Sequence, residues 1–249
     1  PATDSELIEM IDIGGPTMIR SAAKNHQDVL VVTSLDQYAE VIQSLSEAEG
    51  DPTKITHPLR ARLALQAFQR TAAYDAAVSS ELDNRITGEQ IPTRLHISTA
   101  QGTSLRYGEN PHQPAAFYPN SGEKSGLSEA LQHGGKPLSY NNYLDLDSAL
   151  RLAKSFMASG FENYHGCVVV KHTNPCGAAV DNTQEGAWTN ALASDPESAF
   201  GCVIAFTKPV QKETAESIGD HFFECMIAPG YESGVLEILS KKKNRRLLT

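Results

Sequence analysis

The chain reads as α/β, and two patterns predict it. Short apolar or β-branched runs at 29–33, 167–170, 203–206 and 226–229 are too short for helices and are bounded by turn residues. Between them, stretches at 36–49, 58–82, 144–159 and 212–223 repeat apolar residues at helical spacing. A third observation divides the chain: residues 83–97 turn polar and turn-rich around Pro92, as a domain junction does.

In order, Asp12-Ile13-Gly14-Gly15-Pro16 is a turn, and 17–26 a short helix with Pro16 near its first position. Val29-Leu30-Val31-Val32-Thr33 is predicted as a buried strand. The helix over 36–49 places Tyr38, Val41, Ile42 and Leu45 on one face. Turn, helix, strand and helix together make the tail of an α/β unit. Gly50-Asp51-Pro52 breaks the pattern, and 58–82 follows as a connecting or packing helix carrying no chemistry.

The second half differs in texture. Residues 105–113 are dense in hydrogen-bonding side chains, and 120–126 is a loop tip. Tyr140-Asn141-Asn142-Tyr143 leads into the helix over 144–159, and the strand over 167–170 delivers Lys171-His172 at its end. A strand at 203–206, a helix over 212–223 and a short strand at 226–229 complete the series. The basic run Lys241-Lys242-Lys243-Asn244-Arg245-Arg246 reads as a solvated turn before a further strand. The chain opens on proline and stops just after that run, which suggests a piece of something longer.

The composition, 40% hydrophobic and 20% charged, is that of a soluble globular protein. A net charge of −9 argues against nucleic-acid binding but leaves room for a phosphate held by a few local cations. No apolar run suits a membrane span, and no signal peptide is visible. Cys167, Cys176, Cys202 and Cys225 form no CxxC pair, so the expectation is a reducing, cytoplasmic setting.

The sharpest local signal is Val168-Val169-Val170-Lys171-His172-Thr173-Asn174-Pro175-Cys176-Gly177. Open α/β sheets bind ligands at strand ends, a histidine can move a proton near neutrality, and a lysine can hold phosphate or steady negative charge. The competing reading is a surface Lys-His pair after a core strand. Arg106-Tyr107-Gly108-Glu109-Asn110-Pro111-His112 offers a guanidinium fork and a second histidine, against an ordinary polar turn begun by Asn-Pro. Phe200-Gly201 is either a close backbone approach or a packed bend, and Asp12-Ile13-Gly14-Gly15 a weak anion site at a helix start. The eight histidines and four cysteines show no zinc spacing. Cys176 beside Lys171 lacks a base placed by spacing and reads as structural.

Taken in order, Asp12 to His26, Arg106 to Gln113, Ser139 to Asp145, Lys171 to Gly177, Asp195 to Gly201 and Ile227 to Tyr231 resemble the bifunctional AICAR formyltransferase/IMP cyclohydrolase family along essentially the whole chain. The resemblance implies that 1–95 is the C-terminal part of a Rossmann-like, methylglyoxal-synthase-like cyclohydrolase domain with its connecting helix. It implies that 96–249 is the first part of a cytidine-deaminase-like α/β transformylase domain without zinc. It makes Lys171 and His172 the catalytic pair of formyl transfer, with Arg106, Tyr107, His112, Asn142, Gly201 and Glu224 as substrate contacts. Lys24 and Asp12 become catalytic residues of ring closure. The implied reaction takes a formyl group from 10-formyltetrahydrofolate to AICAR, then closes formyl-AICAR to IMP, in a homodimer needing no metal, nucleic acid or membrane. Cys202 departs from the glycine usual in bacterial members. The family's other site segments are absent here, so neither site is expected to be complete. The rival class is a non-catalytic purine-nucleotide-binding module, against which the retained Lys-His pair argues. A third class, a cytidine-deaminase-like enzyme, needs a His/Cys zinc set with a nearby Glu that the sequence lacks.

Overall fold

The computed structural model describes residues 2–88, 91–99, 102–119 and 126–249, so the predicted loop tip at 120–126 lies, except for Gly126, outside the described residues. The chain divides into two compact units, Pro1–Ser98 and Thr99–Thr249.

The first unit is helical. Helix α1, Asp4–Glu9, starts behind a reciprocal cap between Thr3 and Glu6. Helix α2, Gly14–Lys24, begins three residues before the predicted start. Its first turn is made by Gly14, Gly15 and Pro16 themselves, because Asp12 Oδ1 accepts the otherwise free Gly15 N–H at 2.9 Å. Helix α3, Tyr38–Glu47, is entered through a single 3-10 turn. Helix α4, His57–Thr87, runs 31 residues and is closed by Gly88 at φ 64°.

The strand predicted at 29–33 does not form. Among the described residues this unit holds no strand to pair with it, and an unpaired strand leaves its backbone groups without partners. Its side chains still fill the core. Val31 buries with Ala23, Ala64 and Ala67, while Leu30 and Val32 pack against Val41, Leu59 and Leu63.

The second unit opens on a two-stranded antiparallel ribbon, β1 (Thr103–Ser104) with β2 (Ala116–Phe117). There follow β3 (Gln132–Gly134), α5 (Tyr140–Ala158), β4 (His165–Lys171), β5 (Asn174–Asp181) and α6 (Gln184–Ser194). The chain then forms β6 (Cys202–Phe206), α7 (Lys212–Ile218), β7 (Phe223–Ile227), α8 (Val235–Leu239) and β8 (Arg246–Leu248). Strands β3 to β8 form one sheet in the order β3-β8-β7-β6-β4-β5. The β6-β7-β8 trio is parallel, and the remaining pairs are antiparallel.

The period of two along β4 makes three layers. Val168 and Val170 pack with Leu146, Ala149 and Ala153 of α5 on one face. Cys167 and Val169 pack with Ala187, Trp188 and Ala191 of α6 on the other. Such two-sided burial explains the unbroken Val-Val-Val run.

Three predicted features change. The helix read over 212–223 stops at Ile218, where Gly219 takes φ 49° and turns the chain, so Phe223 and Glu224 lie on β7. Asn174-Pro175-Cys176-Gly177, read as a turn, begins β5. Proline is tolerated there because β5 is an edge strand and Cys176 forms a bulge between the Val170–Pro175 and Val169–Gly177 pairs. The basic run is followed by a strand as read, yet Arg245 and Arg246 are buried, at 5% and 4% exposure. Arg245 donates to the carbonyls of Gly219 and His221, both at 2.8 Å, and lies over the Phe223 ring.

Gly177 is where β5 meets α6: a Cβ there would overlap the Ala191 carbonyl. Gly177→Ala is expected to destabilise the unit by about 1–3 kcal/mol through overpacking, read as a lower urea midpoint. An unchanged midpoint would show that this contact yields without strain.

Candidate functional site

Two residues, His172 and Thr173, join β4 to β5, and both are left-handed, at φ 51° and 62°. Lys171 and Asn174 face each other across the ladder. Left-handed backbone at both central positions is the demand of a two-residue type I′ hairpin, usually met by Asn-Gly. A β-branched threonine there is an outlier; such residues cost of order 1–3 kcal/mol each and persist only when their surroundings hold them. Here Asp145 Oδ1 accepts the Thr173 N–H at 2.7 Å, and the Ser148 hydroxyl donates to the Thr173 carbonyl at 2.7 Å. The Asn174 side-chain amide donates to the His172 carbonyl at 2.9 Å. Asp145 and Ser148 both belong to α5, whose start is fixed by the reciprocal cap of Ser139 and Asn142.

Because β4 runs against its neighbours, its carboxyl end lies at the sheet edge where β6, β7 and β8 begin. The site therefore sits at the amino ends of the parallel trio, not at their carboxyl ends as strand-end reasoning would have it. Lys171 Nζ donates to the Phe200 carbonyl at 2.7 Å. The next residue, Gly201, takes φ 77° and donates its N–H to the Phe222 carbonyl at 2.9 Å, a bend that favours glycine. Lys171 and His172 line a cleft of about 420 Å³ with Asn174, Cys176, Asp195 and Ser198.

A second cleft on this edge, about 230 Å³, is lined by Arg106, Tyr107, Lys136, Phe222, Glu224 and Arg246 among others. Arg106 and Tyr107 are held by backbone bonds to the entry of α5: Arg106 N–H donates to Leu138 O at 3.4 Å, and Tyr140 N–H to Tyr107 O at 3.2 Å. Stacking of Phe117 on Tyr143 at 4.4 Å ties the β1-β2 ribbon to the same helix. Glu224 Oε2 accepts from the buried Arg246 Nη1 at 2.7 Å. Asp145 links the two clefts electrostatically. Burial pushes its carboxyl above the usual range, the Thr173 N–H and the charge of His172 pull it down, and Glu224 pushes it up.

The structure thus lines one cleft with Lys171 and His172 and the other with Arg106, Tyr107 and Glu224, while Gly201 lines neither and follows Phe200, whose carbonyl receives Lys171 Nζ. Asn142 is buried with its Oδ1 occupied by the Ser139 cap. His112 is exposed on the 107–113 turn and lines neither cleft. Asp12 and Lys24, in the first unit, flank the two ends of α2, roughly 16 Å apart along its axis at 1.5 Å per residue. They do not meet in this chain. Asp12 caps Gly15 and donates its own N–H to the Tyr74 hydroxyl at 2.8 Å.

Sequence reasoning missed Asp145, Ser148 and Arg246. Asp145 and Ser148 acquire meaning only once a hairpin lies above their helix, and Arg246 was hidden in a run of exposed-looking cations. Cys176 is the bulge residue, its thiol pushed up first by burial and then by Asp195, so no thiolate is poised there. Burial pushes the Cys202 and Cys225 thiols up to about 12. Cys202 belongs to the core cluster beneath α6 and α7, its Sγ 3.9 Å from His221 Nε2.

Residues 22–249 match the family model of the AICARFT/IMPCHase bienzyme. The chain belongs to that family. It is 48% identical over 246 residues to the bifunctional purine biosynthesis protein PurH of Cutibacterium acnes, covering 98% of this chain and 45% of that protein. PurH of Dinoroseobacter shibae is 45% identical over 242 residues, covering 97% of this chain and 44% of that one. The chain spans just under half the length of these relatives. A solved structure of Acinetobacter baumannii RibD aligns at 20% identity and a TM-score of 0.31 over 43% of this chain and 34% of that one, too slight a likeness to bear on the fold. Among the described residues no three His, Cys, Asp or Glu side chains are grouped to hold a metal ion, and no helix is long and apolar enough to cross a membrane.

With its thiols held protonated or buried, the native protein is expected to resist iodoacetamide at pH 7.5, with Cys176 alkylated slowly and first. Peptide-mapping mass spectra over time check the order. Modification of Cys202 or Cys225 ahead of Cys176 would contradict this burial pattern.

Proposed function

We propose that the second unit carries the acceptor half of an AICAR formyl-transfer site, and that the first is the C-terminal part of the IMP cyclohydrolase domain of the same enzyme. The observation that carries the reading is the braced, left-handed turn that presents His172 beside Lys171, on one sheet edge with an Arg106–Tyr107–Glu224 cleft. A histidine held in strained backbone costs stability, and strain of that kind clusters at active sites.

In this reading the 5-amino group of AICAR attacks the formyl carbon of 10-formyltetrahydrofolate. A new C–N bond forms, the bond from the formyl carbon to N10 breaks, and the proton leaving the amine passes to the His172 imidazole and on to departing N10. Lys171 has three donors and spends one on the Phe200 carbonyl. The other two are free for the oxygen on which negative charge develops. Arg106 suits the phosphate or carboxamide of AICAR, and Glu224, oriented by Arg246, suits ribose hydroxyls. His112 and Asn142 act as supporting groups, Asn142 by fixing the start of α5.

Ring closure joins the carboxamide nitrogen to the formamido carbon with loss of water. Lys24 would steady the oxyanion and Asp12 the amide. This part rests on family membership and on the 12–26 motif, since the two residues stand at opposite ends of α2. The three-layer sheet supports a cytidine-deaminase-like transformylase domain, and the 12–26 motif a Rossmann-like, methylglyoxal-synthase-like cyclohydrolase domain. A cytoplasmic homodimer sharing transformylase sites between subunits completes the reading.

In a protein of the relatives' full length carrying this segment, His172→Ala should lower formyl transfer by about 10²–10⁴-fold, the usual worth of a general base. Cyclisation of added formyl-AICAR should continue. Arg106→Ala should mainly raise the KM for AICAR, by roughly tenfold for a lost charge-assisted contact. Near-normal formyl transfer by His172→Ala would remove His172 from its role as base.

A further inference from the structure

We infer that Asp145 is a positioning residue of formyl transfer, whose carboxylate holds the left-handed His172–Thr173 turn through the Thr173 amide. This rests on the reading of His172 as the base. Both turn residues have left-handed φ without being glycine, so the turn stays closed only if outside groups favour it. Relaxing either residue would swing the imidazole away from Lys171, whose own position is fixed by the Phe200 carbonyl.

Two groups of α5 reach the turn. Asp145 Oδ1 takes the Thr173 N–H at 2.7 Å, and Ser148 Oγ gives to the Thr173 carbonyl at 2.7 Å. One helix therefore grips both backbone polar groups of the same residue, Thr173. The helix cannot easily shift, because Leu146 and Ala149, interleaved with these two residues, are fully buried against the sheet. The Asp145 contact runs to the backbone, so it depends on an acceptor at that place and not on a threonine side chain. Half-buried, the carboxylate gives up hydration to stand there.

This assignment separates two roles for Asp145. As a backbone clamp, its acceptor oxygen matters and its charge does not. As an electrostatic partner of His172, the charge matters. Asp145→Ala should lower kcat for formyl transfer by roughly tenfold or more, with the KM for AICAR within about twofold, as for a lost hydrogen bond to a charged group. Asp145→Asn keeps an acceptor and should recover most of that kcat, with the pH profile of kcat/KM unmoved. Adding Thr173→Gly to Asp145→Ala should restore at least about threefold, since glycine adopts the left-handed turn unaided.

The proposal is overturned if Asp145→Asn is as impaired as Asp145→Ala, or if Thr173→Gly restores nothing. Should Asp145→Ala fail to fold, Ser148→Ala takes its place under the same glycine rescue. Amide hydrogen exchange at Thr173 gives a readout independent of activity. It should speed up by roughly tenfold in Asp145→Ala and stay slow in Asp145→Asn. If the unsubstituted protein transfers no formyl group, the functional reading fails, while Thr173 exchange still decides whether Asp145 holds the turn.

Discussion

The burial of β4 on both faces governs the second unit. Its odd and even side chains enter different cores, so α5 and α6 must lie on opposite sides of the sheet and the strand cannot slip by one residue without exposing both. Running antiparallel to β6, it ends where β6, β7 and β8 begin. Lys171 at the end of β4, Gly201 just before β6, Glu224 on β7 and Arg246 on β8 therefore share one edge although they are widely spaced in sequence. In an all-parallel sheet Lys171 would have stood at the edge opposite to Glu224 and Arg246.

The electrostatics of that edge run against the chain as a whole. A protein with a net charge of −9 places Lys171, Arg106, Lys136 and Arg246 around two neighbouring clefts. The acidic groups lining them or close by are few and committed: Glu224 to Arg246, Asp195 to the Ser198 amide, and Asp145, just outside, to the Thr173 amide. Carboxylates tied to internal partners leave the remaining donors, chiefly Arg106 and the two unspent protons on Lys171 Nζ, directed at whatever anion enters. A phosphorylated substrate fits this arrangement without any overall basic charge.

The sequence made the buried strands legible where they were pure apolar runs, as at 167–170 and 203–206, and helices where the period was long, as at 58–82. It misled where a local signal needed a partner from far away. Val29-Leu30-Val31-Val32-Thr33 has strand composition but no neighbouring strand among the described residues, so its side chains bury without a ladder. Asn174-Pro175-Cys176-Gly177 has turn composition, yet an edge position and one bulge let it pair with β4. Of the candidate site, Lys171, His172, Arg106 and Tyr107 were visible as side chains of the right chemistry, and Glu224 only through the family resemblance. Asp145 and Ser148 were not, because they act on another segment's backbone, which leaves no trace in residue type.

The choice of residue at left-handed positions says what the turn is for. Gly201, Gly219 and Gly234 take positive φ where the chain must bend and no side chain is required. Three non-glycine residues do so among those described, Glu49, His172 and Thr173. Glu49 lies just past the end of α3, beside the equally left-handed Gly50, where left-handed backbone is ordinary helix termination. His172 and Thr173 stand in a two-residue hairpin, where glycine would remove the strain at once. The sequence instead keeps an imidazole at the tighter bend and recruits two side chains of a buried helix to hold it. That arrangement makes physical sense if the imidazole itself is needed at that point in space, since nothing about closing β4 onto β5 calls for it.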